Sequence, residues 1–219
     1  MDWLQEIIDR AKRAAKRIRK AVRRGSSVLG GAAAYARAMG TRFGAAAKVF
    51  AGVGVALGLS TYWEIECYGS DGKLKWRECF HNLVVNTGLD DNLDKYFKGS
   101  TYTAAFYVGL TDGTPTFAAG DTMASHAGWT EVEAYDEANR QTLTLGSVSG
   151  QSVDNSASKA TFTIDTNGTT IGGAFITTNN TKGGTTGTLY GGGAFTAGDK
   201  SLDDGDTLQV TVTLTAAAA

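Results

Sequence analysis

Residues 80–113, FHNLVVNTGLDDNLDKYFKGSTYTAAFYVGLTDG, decide how the chain is read. They spell strand, short helix, strand. Leu83-Val84-Val85 is an extended apolar run between Asn82 and Asn86. Thr87 is placed to cap a helix, with Asp90 and Asp91 in the first turn, where carboxylates suit the helix dipole. Leu89, Leu93 and Tyr96 or Phe97 recur at helical spacing on one face, and Gly99 ends the element. Residues 104–110 are strand-like, and Thr111-Asp112-Gly113 turns the chain. So short a helix is unstable alone, so the expectation is that it packs on the strands around it and keys the β region together.

Working outward, the two flanks differ in composition and charge. Glycine is abundant (29 of 219 residues) and proline occurs once, at Pro115, which suits a β protein with many tight turns. The formal net charge of −1 hides a split. Residues 1–60 carry 12 Lys/Arg against 3 Asp/Glu, whereas residues 61–219 carry 9 against 19. Two parts of one chain therefore meet different surroundings, and the reading divides it into an arm, 1–60, and a β domain, 61–219.

The first hairpin of that domain spans Tyr62–Phe80 and turns at Ser70-Asp71-Gly72. A turn centred on Asp71-Gly72 sets Trp63, Ile65 and Cys67 against Phe80, Glu78 and Trp76. Glu64, Glu66 and Tyr68 then oppose Cys79, Arg77 and Lys75, with Glu66 and Arg77 as a favourable cross-strand pair. Cys67 and Cys79 end up roughly 10 Å apart at strand rise, too far for a disulfide. Both are expected to be reduced thiols, in keeping with folding in a cytoplasm. Further strands are expected at 103–111, 129–134, 141–148, 159–165, 170–177, 186–195 and 207–215, with turns at 165–168 and 203–206. Leu208-Gln-Val-Thr-Val-Thr-Leu214 alternates strictly and should bury one face. The fold class is thus mainly β, an antiparallel two-sheet β-sandwich with one short helix, preceded by an α-helical N-terminal arm. Gly183-Gly184 and Gly191–Gly193 mark bends or close backbone approach.

In the arm, residues 2–24 have the period of an amphipathic helix. Trp3, Leu4, Ile7, Ile8, Ala11, Ala15, Ile18 and Val22 form the apolar stripe, and Gly25 stops it. The other face is basic and includes Arg13, Arg17, Arg19, Lys20, Arg23 and Arg24. Such a helix docks on an acidic protein surface, meets DNA phosphates without sequence specificity, or lies on an anionic membrane. Residues 30–59 alternate alanine with glycine, and Gly40 and Gly44 have the small-xxx-small spacing of closely packed helices. Arg37, Arg42 and Lys48 argue against burial in lipid, and the longest uncharged run, Val49–Thr61, is shorter than the ~20 residues a membrane span needs. The N-terminus does not read as a signal peptide, because its charged segment is long and amphipathic and has no clean cleavage site. The anchoring set is therefore Trp3, Ile7, Arg13, Arg17, Arg19, Lys20, Arg23, Arg24, Gly40 and Gly44, with close packing against identical copies or a larger assembly preferred to membrane contact.

Residues for chemistry are few. His81 is expected to be a packed or hydrogen-bonded strand residue. Asp121, Ser125 and His126 share a loop, but contiguity does not supply triad geometry. Asp199, Asp203, Asp204 and Asp206 lack the pattern of a calcium loop, and Gly191–Gly193 lacks the lysine and helix of a phosphate loop. The run Glu131, Glu133, Asp136 and Glu137 is read as a solvated edge or a patch for basic partners. Trp129, Tyr135 and Tyr190 are candidate platforms if the domain binds glycans. The expectation is a non-enzymatic protein without cofactor or metal.

From about Trp63 onward the chain resembles uncharacterised structural proteins of tailed bacteriophages. The residues that carry the resemblance are 76–78 (WRE), 82–90 (NLVVNTGLD), 93–100 (LDKYFKGS), 107–110 (YVGL), 119–131 (AGDTMASHAGWTE), 153–160 (VDNSASKA) and 170–175 (TIGGAF). The resemblance implies a virion component, capsid- or tail-associated, assembled in the bacterial cytoplasm. Copies of itself and other virion proteins would be its partners. The arm at 1–60 is longer than the N-terminal segments of that group. The rival readings are a membrane-active protein delivered with the genome and a surface glycan- or receptor-binding module.

Overall fold

The computed structural model describes residues 57–218 apart from Thr103 and Ala104. Residues 1–56 of the expected helical arm, and all ten of its anchoring residues, lie outside the described residues. Its last four, 57–60, are strand rather than the end of a helical arm, because they pair with residues 215–218.

The described chain is mainly β, with antiparallel sheets and one helix. Its elements are β1 (Leu57–Tyr68), β2 (Leu74–His81), β3 (Leu83–Val84), α1 (Asn86–Phe97), β4 (Tyr107–Thr111), β5 (Glu131–Val132) and β6 (Gln141–Thr142). They continue with β7 (Ser152–Asp154), β8 (Ala160–Thr163), β9 (Thr169–Ile171), β10 (Gly173–Thr177), β11 (Leu189–Ala194), β12 (Lys200–Leu202) and β13 (Thr207–Ala218). A first sheet runs β2-β1-β13 and continues to β7 and β8 along β13. A second runs β3-β11-β10-β4 and continues to β5 and β6 along β4. A third pairs only β9 with β12. The chain passes between the first two sheets at Asn82, whose N–H donates to Thr61 O at 3.2 Å.

The β1–β2 register is the expected one from Tyr62 to Cys67, with Trp63 opposite Phe80 and Cys67 opposite Trp76. It slips at the turn end, where Tyr68 pairs with Leu74 rather than Lys75. Gly72 there has φ +75, a conformation that only glycine takes without strain. Cys67 and Cys79 lie on opposite faces of the hairpin as free thiols. Burial, with Asp206 nearby, pushes the Cys67 thiol up from 9.0 to about 12. A raised folded-state pKa contributes stability that is complete below pH 9 and is lost as pH rises toward 12. Native Cys67 should therefore resist iodoacetamide at pH 8.5 and react on unfolding, as peptide mapping would read; fast native labelling would contradict this burial.

β13 alternates as its sequence requires. Leu208, Val210 and Val212 are buried, and they share one core with Trp63, Ile65 and Phe80 of the first sheet and Val108, Leu110, Ala174 and Ile176 of the second. Trp63 stacks on Phe80 at 5.6 Å between centroids, and Phe80 meets Phe195 at 5.7 Å. Along its other edge β13 pairs first with β8 and then with β7. The buried Asn155 fills the gap between these two strands. Its Nδ2 donates to Val210 O at 3.1 Å and its Oδ1 accepts from Val212 N at 2.7 Å, so one side chain stands in for a missing strand residue.

Several strands are shorter than their sequence patterns. The expected 129–134 and 141–148 strands shrink to β5 and β6, and 170–177 breaks at Gly172 into β9 and β10, which belong to different sheets. β7 and β12 were not expected. β10 is buried on both faces: Ala174 and Ile176 point into the main core, while Phe175 joins Val85, Met123, Trp129 and Leu189 in a second cluster. Phe175 pairs across the ladders with Gly192 and Gly109. Side chains there would strike the Phe117 and Phe175 rings, so these glycines give the aromatic cluster room to lie against the sheet.

Candidate functional site

The keying element of the sequence, α1, is attached differently from the expectation. It starts at Asn86 behind an extended Val85, whose apolar side chain cannot cap it, and the expected cap Thr87 lies inside the helix with its Oγ1 donating to Leu189 O at 2.7 Å. Val85 N donates to Tyr190 O at 3.1 Å, so the edge of β11 competes for the groups that would have capped the helix. Asp90 and Asp91 accordingly fall beyond the first turn. Gly88 is the buried helix residue, and a Cβ there would collide with the Tyr190 backbone. Asn92 Nδ2, one turn on, donates to Gly88 O at 2.8 Å and lies 3.3 Å from the Tyr190 hydroxyl. Gly99, with φ +70, ends the helix as expected, and Ser100 N returns to Asp94 O.

Docking through Gly88 and Asn92 turns the apolar stripe outward. Leu89 is 41% exposed, Leu93 57%, Tyr96 83% and Phe97 72%, and Tyr102 just beyond is exposed too. The helix packs on the strands as expected, but through Gly88, Asn92 and Thr87 rather than through its apolar stripe. The small residues Gly88 and Asn92 permit the closest approach to β11, and that approach outweighs burial of the larger side chains. Tyr96 and Phe97 meet edge to face at 5.0 Å, a contiguous apolar surface on a helix held in place. Gly88→Ala should force α1 off β11 and cost about 1–3 kcal/mol. Faster amide exchange across 86–98, with the sheets still protected, would be its signature; unchanged protection would contradict this attachment.

The other candidate residues are used inside the fold. Asp121 Oδ2 accepts from Ala118 N at 3.0 Å and from Trp129 Nε1 at 3.2 Å. His126 Nδ1 lies 2.9 Å from Thr122 O, an oxygen that only accepts, so Nδ1 carries the proton. Its ring stacks on Trp129 at 3.8 Å. None of the Asp121, Ser125 and His126 side chains bonds another of the three, and they form no relay. His81 is exposed rather than packed and leans on the Tyr62 ring at 5.2 Å.

The acidic runs are likewise structural. Glu131, on β5, receives Arg140 Nε and Nη2 at 2.8 and 2.6 Å, and its Oε2 accepts from Gly183 N. Arg140 continues to Asn179 O and Gly184 O, with its guanidinium 5.3 Å above the Phe175 ring. Glu137 accepts from Thr163 N. The expected solvated patch thus contains a buried ion pair that closes the 179–184 loop. Asp206 binds Lys75 Nζ at 2.6 Å, Asp199 takes the backbone N and hydroxyl of Thr114, and Asp204 N donates to Asn167. Asp206 holds the Lys75 ammonium above its usual range. Among the described residues no group of three or more His, Cys, Asp or Glu is placed to hold a metal ion. Arg77 sits opposite Glu66 as expected, but its nearer partner is Glu64, and Glu66 takes Lys159 at 2.7 Å.

Trp129, Tyr135 and Tyr190 are all buried, so none of these rings is a glycan platform. Trp129 lies beneath the loop from Asp112 to Thr130, with Phe117 stacked on it at 5.1 Å. Tyr190 lines an apolar depression with Leu59, Val148, Val153 and Leu214. No helix among the described residues is long and apolar enough to cross a membrane. No protein-family model, no curated protein and no solved structure matches this chain.

Proposed function

We propose that this chain is a structural protein of a tailed-bacteriophage virion, associated with the capsid or the tail. Its acidic domain assembles with copies of itself and with neighbouring virion proteins, and residues 1–60 anchor it to the particle. The observation that carries the reading is the apolar face of α1, a rigidly seated helix that presents Leu93, Tyr96 and Phe97 to its surroundings. Surfaces of this kind are made to be covered by another macromolecule. The resemblance of residues 61–219 to phage structural proteins suggests the kind of assembly. The domain's architecture is inferred to be a β-sandwich, since its two larger sheets share one core.

Anchoring is assigned to Trp3 and Ile7 as apolar contacts, to Arg13, Arg17, Arg19, Lys20, Arg23 and Arg24 as the charged face, and to Gly40 and Gly44 as close-packing positions. Acidic protein surfaces are the main partner of the charged face, with sequence-independent DNA contact alongside. The test is to purify particles, cross-link their lysines and identify peptides joined to Lys12, Lys16, Lys20 and Lys48. Links to a shell, portal or tail protein support the anchoring role. Absence of the protein from particles removes the virion reading. Attachment that survives molar salt would leave apolar packing of residues 30–59 as the anchor, because screening shortens electrostatic reach to about 3 Å there.

A further inference from the structure

We propose that the outward face of α1 is the seat of a basic amphipathic helix, the residue 2–24 segment of a second copy of this chain. The inference rests on the virion reading and names the contact by which subunits would be joined.

Three observations carry it. The first is the shape of the face: Leu89, Leu93, Tyr96 and Phe97 form a stripe at i, i+4, i+7 and i+8, the spacing that receives the apolar side of another helix. The seat is prepared in advance, because Gly88, Asn92 and Thr87 fix α1 to β11 from its other side. The second is charge. Asp90 and Asp94 follow the stripe along one border, and among the described residues neither Asp90 nor Asp91 has an ion-pair partner. Lys98 is held by Asp94 at 2.8 Å, and Lys95 by Thr101 O at 2.8 Å. Two copies of α1 placed antiparallel, stripe to stripe, would bring their Asp90 carboxylates to the same side with no cation between them, so that self-pairing is disfavoured and a cationic partner favoured.

The third is the chain itself. Residues 2–24 carry an apolar stripe from Trp3 to Val22 and a cationic face from Arg10 to Arg24, the chemistry this seat requires. The described domain starts at Leu57. Residues 25–56 allow a reach of at most about 110 Å when fully extended, so the length of chain does not confine residues 2–24 to their own domain. A helix given to a neighbour links copies, which is what assembly needs.

The test uses the full chain with p-benzoylphenylalanine in place of Tyr96, which is 83% exposed and so free to carry the probe. Isotope-labelled and unlabelled chains are mixed, irradiated and mapped by mass spectrometry, with the same probe in place of Lys73, at the β1–β2 turn, as control. The expected product joins position 96 to residues 2–24 in mixed labelled–unlabelled pairs, and the control gives none. Phe97→Ser, at a 72% exposed site, should weaken assembly about tenfold to a hundredfold in sedimentation while leaving the unfolding midpoint unchanged. Products confined to single chains, products with α1 of another copy, products with lipid, or no product at all each overturn the proposal. These outcomes are separable from the virion reading. A protein found in particles whose position 96 links elsewhere leaves that reading standing; one that links as proposed but is absent from particles does the reverse.

Discussion

Replacing Arg140 with methionine should lower the unfolding free energy by about 3–5 kcal/mol, because it leaves the Glu131 carboxylate buried without its counter-charge. The Arg140 side chain is 0% exposed and that of Glu131 8%. The guanidinium also satisfies two loop carbonyls, at Asn179 and Gly184, which methionine cannot do. Urea denaturation followed by far-UV circular dichroism reads the change as a lower midpoint at constant slope. Adding Glu131→Gln should recover part of the loss, since a glutamine oxygen still accepts from Gly183 N while the stranded charge is gone. The cost should persist in 1 M salt, where an exposed pair would be screened. A single-mutant effect below about 1 kcal/mol, the range of surface ion pairs, would remove this account of the 179–184 loop.

Asn155→Leu should be nearly as damaging. The substitution keeps the side chain close in size but abandons Val210 O and Val212 N inside the first sheet. Two unsatisfied backbone groups cost about 1–3 kcal/mol each, or about 2–6 kcal/mol together. Hydrogen exchange at Val212 gives a local readout, since its amide should lose protection while Val210, whose N–H lies in the β8 ladder, keeps more of it. Asn155→Asp keeps the oxygen for Val212 N but loses the donor to Val210 O, and should fall between the two. If Asn155→Leu unfolds at the wild-type midpoint, the side chain is not what bridges β7 and β8.

How much of this was legible in the residues follows from the range of the forces involved. The β1–β2 register from Tyr62 to Cys67 was legible from the turn at Ser70-Asp71-Gly72, although a bulge beside the turn shifts Tyr68 onto Leu74. The buried faces of β1 and β13 followed from alternation, a property of the strand itself. Gly99, Gly168 and Gly205 marked chain reversals because their positive φ is a local demand. By contrast, Glu131 and Arg140 gave no signal: a buried ion pair is written in the sequence with the same letters as a solvated one. Asn155 gave none either, because its partners lie 55 and 57 positions away. Trp129, Tyr135 and Tyr190, candidate platforms by residue type alone, are buried, since an aromatic side chain is exposed or buried according to what the rest of the chain lays over it.

The helix shows the division most clearly. By itself the sequence determined that a short helix precedes Gly99 and that its apolar side chains share one face, consequences of spacing within a few turns, whereas its cap position, Val85, falls two residues before the expected Thr87. Only the tertiary structure decided which face is buried. At Tyr190 the β11 backbone lies against α1, and backbone is approached most closely by the residue without a Cβ, so Gly88 went inward and Leu93, Tyr96 and Phe97 were left outside. Periodicity defines a face but not its neighbour, because the neighbour is set by contacts about a hundred residues away in the chain.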